Sequence, residues 1–278
     1  MKRIITIISE GLSSCYTTGE VTALTRIIAT ELLGVSQMAY FLKDDVAITA
    51  EQEALLDNAI ERLKKHEPIQ YILGYCDFCG LRFKVTPATL IPRPETSELV
   101  EWIASEATGK ESILDIGTGS GCIAISLAHK QLKSNVTAWD ISNEALAVAI
   151  ENSKANGQTV TFEHVDILAY QPTGEQFDII VSNPPYIKEN EKEAMHANVL
   201  DWEPHAALFV PDGDPLLFYR TIAEKGLAML KPGGRLYFEI NRAHGKETME
   251  MLAALGYTSI ELRKDFAEND RMIRAIKN

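Results

Sequence analysis

The sequence predicts an α/β protein: a doubly wound, mostly parallel sheet, preceded by a small helical domain and a β-hairpin connector. Three observations predict it. From about residue 92 onward, short apolar runs alternate with helical stretches, the rhythm of successive βα units. Up to about residue 72, apolar residues recur at helical spacing. Between the two regions, apolar and polar residues alternate around Gly80.

Lys2-Arg3 followed by Ile4-Ile5-Thr6-Ile7-Ile8 resembles the start of a signal peptide. The apolar run is too short for one and Glu10 closes it, so a helix or strand is expected. Thr18 is expected to cap a helix carrying Val21, Leu24, Ile27, Ile28 and Leu32, with Gly34 ending it. Thr49 and Gln52 have capping-box spacing ahead of Leu55, Leu56, Ala59, Ile60 and Leu63. These stripes read as core, and residues 1–73 read as one helical domain. In the connector, 74–91, Phe78, Phe83 and Val85 alternate about Gly80 as in a hairpin. Residues 92–278 form the α/β domain, with strands expected at 113–116, 136–140, 159–164, 177–181 and 235–240. Two more, near 259–263 and 271–276, make a terminal antiparallel element.

Composition agrees with this organisation. The 278 residues are 46% hydrophobic, enough for a real core, and no segment approaches the length of a membrane span. A formal charge of −12 argues against a nucleic acid held by its phosphates, which requires clustered Lys and Arg. A basic or flexible protein partner suits it better. Cys76 and Cys79 have metal-ligand spacing, but no second pair completes four ligands, so a structural role is expected. Unpaired thiols at 15, 76, 79 and 122 suit a reducing cytoplasm. His164, His196, His205 and His244 have no partners at catalytic spacing and read as surface or packing residues.

Chemistry concentrates at Asn183-Pro184-Pro185-Tyr186, directly after the apolar run 177–181. That position is a strand's C-terminal end, where open α/β sheets hold their ligands. Two prolines fix the backbone and remove two N–H donors. The Asn183 side-chain oxygen and the Pro184 carbonyl remain as acceptors, with the Tyr186 ring beside them. Such a set suits a planar –NH2 group, either an amide or the exocyclic amine of a base. Taken alone, a Pro-Pro pair is more often a plain turn.

The upstream sequence lifts it above that reading. The run 113–116 leads into Gly117-Thr118-Gly119-Ser120-Gly121 and then an amphipathic helix, the opening βα unit of a nucleotide-type site. Glycines there allow close approach of a ligand and leave N–H groups free. The next expected strand ends at Asp140, a carboxylate able to accept hydrogen bonds from both ribose hydroxyls. Gly119 to Ala124 also fits the relaxed dinucleotide pattern, so the loop alone does not separate NAD from S-adenosylmethionine. Asp115 ahead of the loop and Asn183 to Tyr186 after a later strand favour the latter.

At this point the chain resembles the HemK-type protein-(glutamine-N5) methyltransferases, and among them those that act on release factors. The resemblance runs through Glu67 to Gly74, then Leu90-Ile91-Pro92-Arg93-Pro94-Glu95-Thr96, the glycine loop and Asn183 to Ile187. It continues through Glu203-Pro204, Tyr219-Arg220 and Asp265 to Arg271. Ser97, the turn 211–215, Asn241, His244 and Glu268 depart from the family pattern, the last at a usual glycine. The resemblance implies a Rossmann-like class I methyltransferase sheet and S-adenosyl-L-methionine as cofactor. Gly117, Thr118, Gly119, Ser120 and Gly121 would surround its methionine part and Asp140 its ribose, with Asp166 or Leu168 bordering the adenine. Asn183, Pro184, Pro185 and Tyr186 would hold the acceptor amide, Tyr186 packing on its plane and Asn183 also bordering the cofactor. Arg93 and Glu95 would order the cleft wall, in a salt-bridged structural role or as ligand contacts, and no metal is implied.

The substrate implied is the glutamine of the Gly-Gly-Gln loop in class I peptide-chain release factors. The helical domain would choose that partner, and the enzyme would be a cytoplasmic monomer without stable nucleic-acid or membrane binding. Rival readings are glutamine methylation of a ribosomal protein, adenine-N6 methylation of nucleic acid, and a binding module with a dead cofactor pocket. The run 188–193 reads as a solvated loop or helix start, or as a mobile lid over the substrate.

Overall fold

The computed structural model of the chain describes residues 1–44, 46–131 and 133–278. It divides into two compact units, 1–74 with 196–202, and 75–195 with 203–278.

The first unit is helical. Helix α1 (Lys2–Leu12) buries Ile4, Ile8 and Leu12, one residue per turn on a single face, and continues through Glu10. Helix α2 (Thr18–Ile27) is capped by Thr17 and not by Thr18. The reason is reciprocal bonding: the Glu20 N–H donates to Thr17 Oγ1, and the Thr17 N–H donates to the Glu20 carboxylate at 2.8 Å. A π turn (Ile28–Leu32) follows, and Gly34 at φ +68° ends the segment. Helix α3 (Gln37–Leu42) leaves Met38, Phe41 and Leu42 exposed. Helix α4 (Ala50–Leu63) opens with the expected Thr49–Gln52 box and buries Leu56, Ala59, Ile60 and Leu63. Each cap is worth about 1 kcal/mol, whereas each fully buried Leu or Ile contributes roughly 1.5–3 kcal/mol. The caps therefore set boundaries and the apolar stripes hold the unit together. Glu67 receives two hydrogen bonds from Arg62, whose guanidinium also reaches the Tyr71 carbonyl at 3.3 Å. This clamp carries the chain from α4 into α5 (Ile69–Leu73), so part of the 67–74 motif is architectural.

The second unit opens with the hairpin β1 (Tyr75–Phe78) and β2 (Leu81–Lys84), closed by Cys79 and Gly80 at φ +49° and +78°. Two consecutive positive φ values match a type I′ turn, which follows the right-handed twist of paired strands. Helix α6 (Pro94–Glu106) precedes strands β3 (Ser112–Ile116), β4 (Asn135–Asp140), β5 (Thr161–His164) and β6 (Phe177–Ser182). Helices α7 (Cys122–Lys130) and α8 (Asn143–Ala155) connect the first three of these strands. The run after β6 forms a short strand, β7 (Ile187–Lys188), and a 3-10 turn over Glu189–Ala194. Helix α9 (Ala197–Leu200) belongs to the helical unit, where Trp202 Nε1 donates to the Lys65 carbonyl at 3.0 Å. Strand β8 (Phe209–Val210) pairs with β7, and α10 (Leu217–Met229) leads into β9 (Leu230–Glu239). Helix α11 (Gly245–Ala254) and the pair β10 (Thr258–Lys264) and β11 (Asp270–Ile276) complete the chain.

Seven strands form one sheet in the order β10-β11-β9-β6-β3-β4-β5. Strands β3, β4, β5, β6 and β9 are parallel, and β11 enters antiparallel beside β9 with β10 outside it. Alternate residues serve opposite faces. Ile113, Ile179, Val181 and Tyr237 pack with residues of α6 and α7, while Leu114, Ile116, Ile180 and Phe238 pack with α10 and Leu252 of α11. Helices on both faces explain why these strands are nearly continuous apolar runs. The strand order reverses between β3 and β6, where Ser182 Oγ donates to the Ile116 carbonyl at 2.7 Å.

Glu268, in the turn between β10 and β11, sits at φ +61°, a conformation that favours glycine. Its backbone bonds to Asp265 and Lys264 need no side chain. Glu268→Gly is therefore expected to stabilise the protein by up to about 1 kcal/mol. Urea unfolding checks this, and a lowered midpoint contradicts it.

Candidate active site

A cavity of about 620 Å³ opens at the C-terminal ends of β3, β4 and β6, the reversal point of the sheet. It lies within the range of pockets that enclose small organic ligands, and at the edge where doubly wound sheets hold them. Ile116, Gly117 and Gly119 form its floor after β3, and Asp140 to Ser142 follow β4. Asp166 and Leu168 follow β5, and Ser182 to Pro185 follow β6. Pro204, Ala207, Phe209, Phe218 and Ile222 add an apolar wall. Asp140, Glu144 and Asp166 bring carboxylates to the lining, and none of its residues is Lys or Arg.

The glycine loop divides between cavity and core. Gly117 and Gly119 have φ +75° and +56°, and a Cβ at either would meet nothing within 4 Å. Their backbone opens directly on the cavity. Thr118, Ser120 and Gly121 are not among its lining residues. Thr118 and Ser120 are buried, and Thr118 Oγ1 donates to Asp115 Oδ2 at 2.6 Å. Gly121 caps α7 at φ +81°, and a Cβ there would come within 2.7 Å of Ile125 Cδ1. Its glycine serves helix packing. The loop's N–H groups are also engaged within the protein: those of Gly117 and Thr118 with the Trp139 carbonyl, and that of Gly119 with Asp140.

Asp140 is the hinge of this half. One oxygen accepts from the Gly119 N–H at 2.8 Å and the other from the Ser142 N–H at 2.9 Å. Burial raises its pKa, the backbone N–H bonds acting against the rise. The oxygens keep lone pairs for further donors. Asp115 is fully buried and is pushed up to about 7 by that burial, against the Thr118 hydroxyl and the Ala124 N–H. It braces the loop from behind. Asp166 Oδ1 accepts from the Leu168 N–H at 2.8 Å, so both residues reach the cavity from one tight turn. Ile141 and Leu168 are exposed apolar side chains on its rim. His164, below them, has Nε2 at 2.7 Å from the Ile141 carbonyl.

On the β6 side, Asn183, Pro184 and Pro185 line the cavity. Asn183 Nδ2 donates to Thr96 Oγ1 at 3.4 Å, and Thr96 Oγ1 donates to Glu239 Oε2 at 2.6 Å. Among the described residues, no donor reaches Asn183 Oδ1 or the Pro184 carbonyl. Two acceptors thus stand available side by side in sequence. Tyr186 is not among the lining residues; it is partly buried and packs against the core cluster that contains Tyr219 and Phe238. Its carbonyl accepts from Asn241 Nδ2 at 3.2 Å, and burial pushes its hydroxyl up to about 12.

Arg93 pairs with Glu203 and not with Glu95, while Glu203 also accepts from the Ile91 N–H at 3.1 Å. This buried carboxylate ties the 90–96 segment to the 203–207 wall. Sequence reading also passed over Asn152, whose amide exchanges bonds with both backbone groups of Lys84 and donates to the Ser120 carbonyl at 2.9 Å. It locks the hairpin to the glycine loop. Cys76 and Cys79 are half-buried, and among the described residues no group of three or more His, Cys, Asp or Glu is arranged for a metal ion. No helix is long and apolar enough to cross a membrane.

Known proteins match this arrangement over nearly the whole chain. The family described as Methyltransferase small domain matches residues 95–206, and the PrmC N-terminal domain matches residues 8–74. The release factor glutamine methyltransferase of Bacteroides thetaiotaomicron is 49% identical, with 99% of each chain covered. That of Flavobacterium psychrophilum is 45% identical, with 95% of each covered. Among solved structures, a methyltransferase from Pyrococcus furiosus superposes with a TM-score of 0.54 at 20% identity, covering 83% of this chain and all of that one. A 16S rRNA N2 G1207 methyltransferase of T. thermophilus, solved with AdoMet and guanosine, gives 0.51 at 18% identity, with 73% and 50% covered. At those identities the likeness is one of fold.

Proposed function

The chain belongs to the release factor glutamine methyltransferase family, and from that premise we propose that it methylates the side-chain amide of the Gly-Gly-Gln glutamine in class I release factors. The observation that carries the site assignment is the pair of open acceptors, Asn183 Oδ1 and the Pro184 carbonyl, at the end of β6.

The cavity fits S-adenosylmethionine. Positions 117 and 119 give the open backbone that a Cβ would fill, Asp140 offers carboxylate lone pairs, and Asp166, Ile141 and Leu168 line the same cavity. When bound, the cofactor supplies a methyl group on a sulfonium leaving group. The chain's own residues must then solve the acceptor problem, because an amide nitrogen shares its lone pair with its carbonyl and is a poor nucleophile. Asn183 Oδ1 and the Pro184 carbonyl would accept both amide N–H groups and aim the nitrogen at the methyl. The same two bonds strengthen as positive charge develops on nitrogen. The apolar wall of Pro185, Phe209, Phe218 and Ile222 would keep water out.

A lining without Lys or Arg supports a polypeptide acceptor over a nucleic acid gripped by its phosphates. The exposed Met38, Phe41 and Leu42 of α3 support a partner-gripping role for the helical unit. Four free thiols suit a cytoplasmic enzyme. Transfer of labelled methyl from S-adenosylmethionine tests the reading, with an unmodified class I release factor, ribosomal proteins and an adenine-containing oligonucleotide offered separately. Label should enter the release factor. Label in the oligonucleotide or the ribosomal proteins alone contradicts the substrate assignment.

A further inference from the structure

A carboxamide can turn over about its Cβ–Cγ axis, so an asparagine that must present oxygen needs something to hold it that way. Asn183 has such a hold. Its NH2 group donates to Thr96 Oγ1 at 3.4 Å, and that hydroxyl spends its one hydrogen on Glu239 Oε2 at 2.6 Å. A hydroxyl with its proton committed can only accept from Asn183. Burial raises the Glu239 pKa to about 7, and its ionised form, present above that pH, can only accept, so in that form the direction of the whole chain follows from Glu239. Thr96 is 2% exposed and Glu239 1% exposed, and they come from α6 and β9, far from Asn183 in sequence.

Burying a carboxylate costs several kcal/mol unless partners compensate, and an apolar side chain would pack there more cheaply. Arg271 acts on Glu239 through its charge but donates its hydrogen bonds to Asp265 and the Ile240 carbonyl. Thr96 is the hydrogen-bond partner that Glu239 has among the described residues. We propose that Thr96 and Glu239 are positioning residues, which fix the Asn183 amide with Oδ1 toward the acceptor glutamine. The inference rests on the acceptor role given to Asn183 above.

Thr96→Val removes the hydroxyl at nearly constant volume. The double variant Thr96→Val/Glu239→Leu also removes the carboxylate that would be left unpaired, and so protects the fold if the single variant unfolds. Random flipping alone would halve kcat. Loss of the fixed geometry should add to this, and a fall of about tenfold is expected in both variants. The Kd for S-adenosylmethionine, read by calorimetry, should stay within about twofold, and Thr96→Ser should restore kcat. If the folded variants keep kcat within twofold, or lose cofactor binding in step with kcat, the positioning role is overturned. A wild-type protein that binds the cofactor but methylates no glutamine overturns the function itself, and this inference with it.

Discussion

Asn183→Ala is expected to lower kcat for glutamine methylation by at least about 100-fold while leaving the affinity for S-adenosylmethionine within about threefold. The substitution deletes one of the two acceptors at the end of β6 and leaves the Pro184 carbonyl in place. One hydrogen bond does not fix a planar amide in both tilt and rotation, so the nitrogen leaves the line of attack. The lost bond is also the kind that strengthens toward the transition state, which is why kcat and not KM should carry the effect. The Gly117, Gly119 and Asp140 side of the cavity is untouched. Steady-state kinetics with calorimetry on the same preparation separates the two quantities. Equal losses in both would make Asn183 a cofactor residue and remove the acceptor argument.

Asp140→Ala should act in the opposite sense, raising the cofactor Kd by at least about 100-fold. Its two oxygens hold the Gly119 and Ser142 N–H groups, and the proposed ribose contacts use the remaining lone pairs. Alanine therefore loses charge-assisted bonds to the ligand and also releases both loops that shape the cavity. Hydrogen bonds to a charged group contribute about 1.5–3 kcal/mol each, so two of them account for a change of this size. At saturating cofactor, much of kcat should return, because the acceptor pair is unaltered. Unchanged cofactor affinity would place the ribose elsewhere.

Much of this was readable from the chain. Short apolar runs gave the parallel strands because helices cover both sheet faces, and the observed β5 merely starts two residues later than expected. The Thr49–Gln52 cap and the Cys79-Gly80 turn were legible because their chemistry is local. Glu268 stands at a usual glycine of the family pattern, and its φ of +61° supplies the physical reason. Asn183 and Pro184 stand out because an apolar strand precedes them and the glycine loop lies upstream, and both line the cavity.

Contacts between distant segments are what the sequence hides. Arg93 bonds to Glu203, 110 residues away, a partner that no local pattern shows. The glycine pattern does not say which way each residue of a loop turns, and Gly117 and Gly119 line the cavity while Thr118 and Ser120 are buried. Adjacency in sequence likewise does not show that Tyr186 packs against the cluster of Tyr219 and Phe238. Glu239 carries a signal, a carboxylate directly after the apolar run Leu236-Tyr237-Phe238, but its partner Thr96 is 143 residues away.

The most direct measurement is peptide mapping by mass spectrometry of an unmodified class I release factor after incubation with the protein and S-adenosylmethionine. One added methyl, on the glutamine of the Gly-Gly-Gln loop and nowhere else, is the predicted result. An unmodified glutamine, with the methyl on another residue or none transferred while the cofactor is bound, would contradict it.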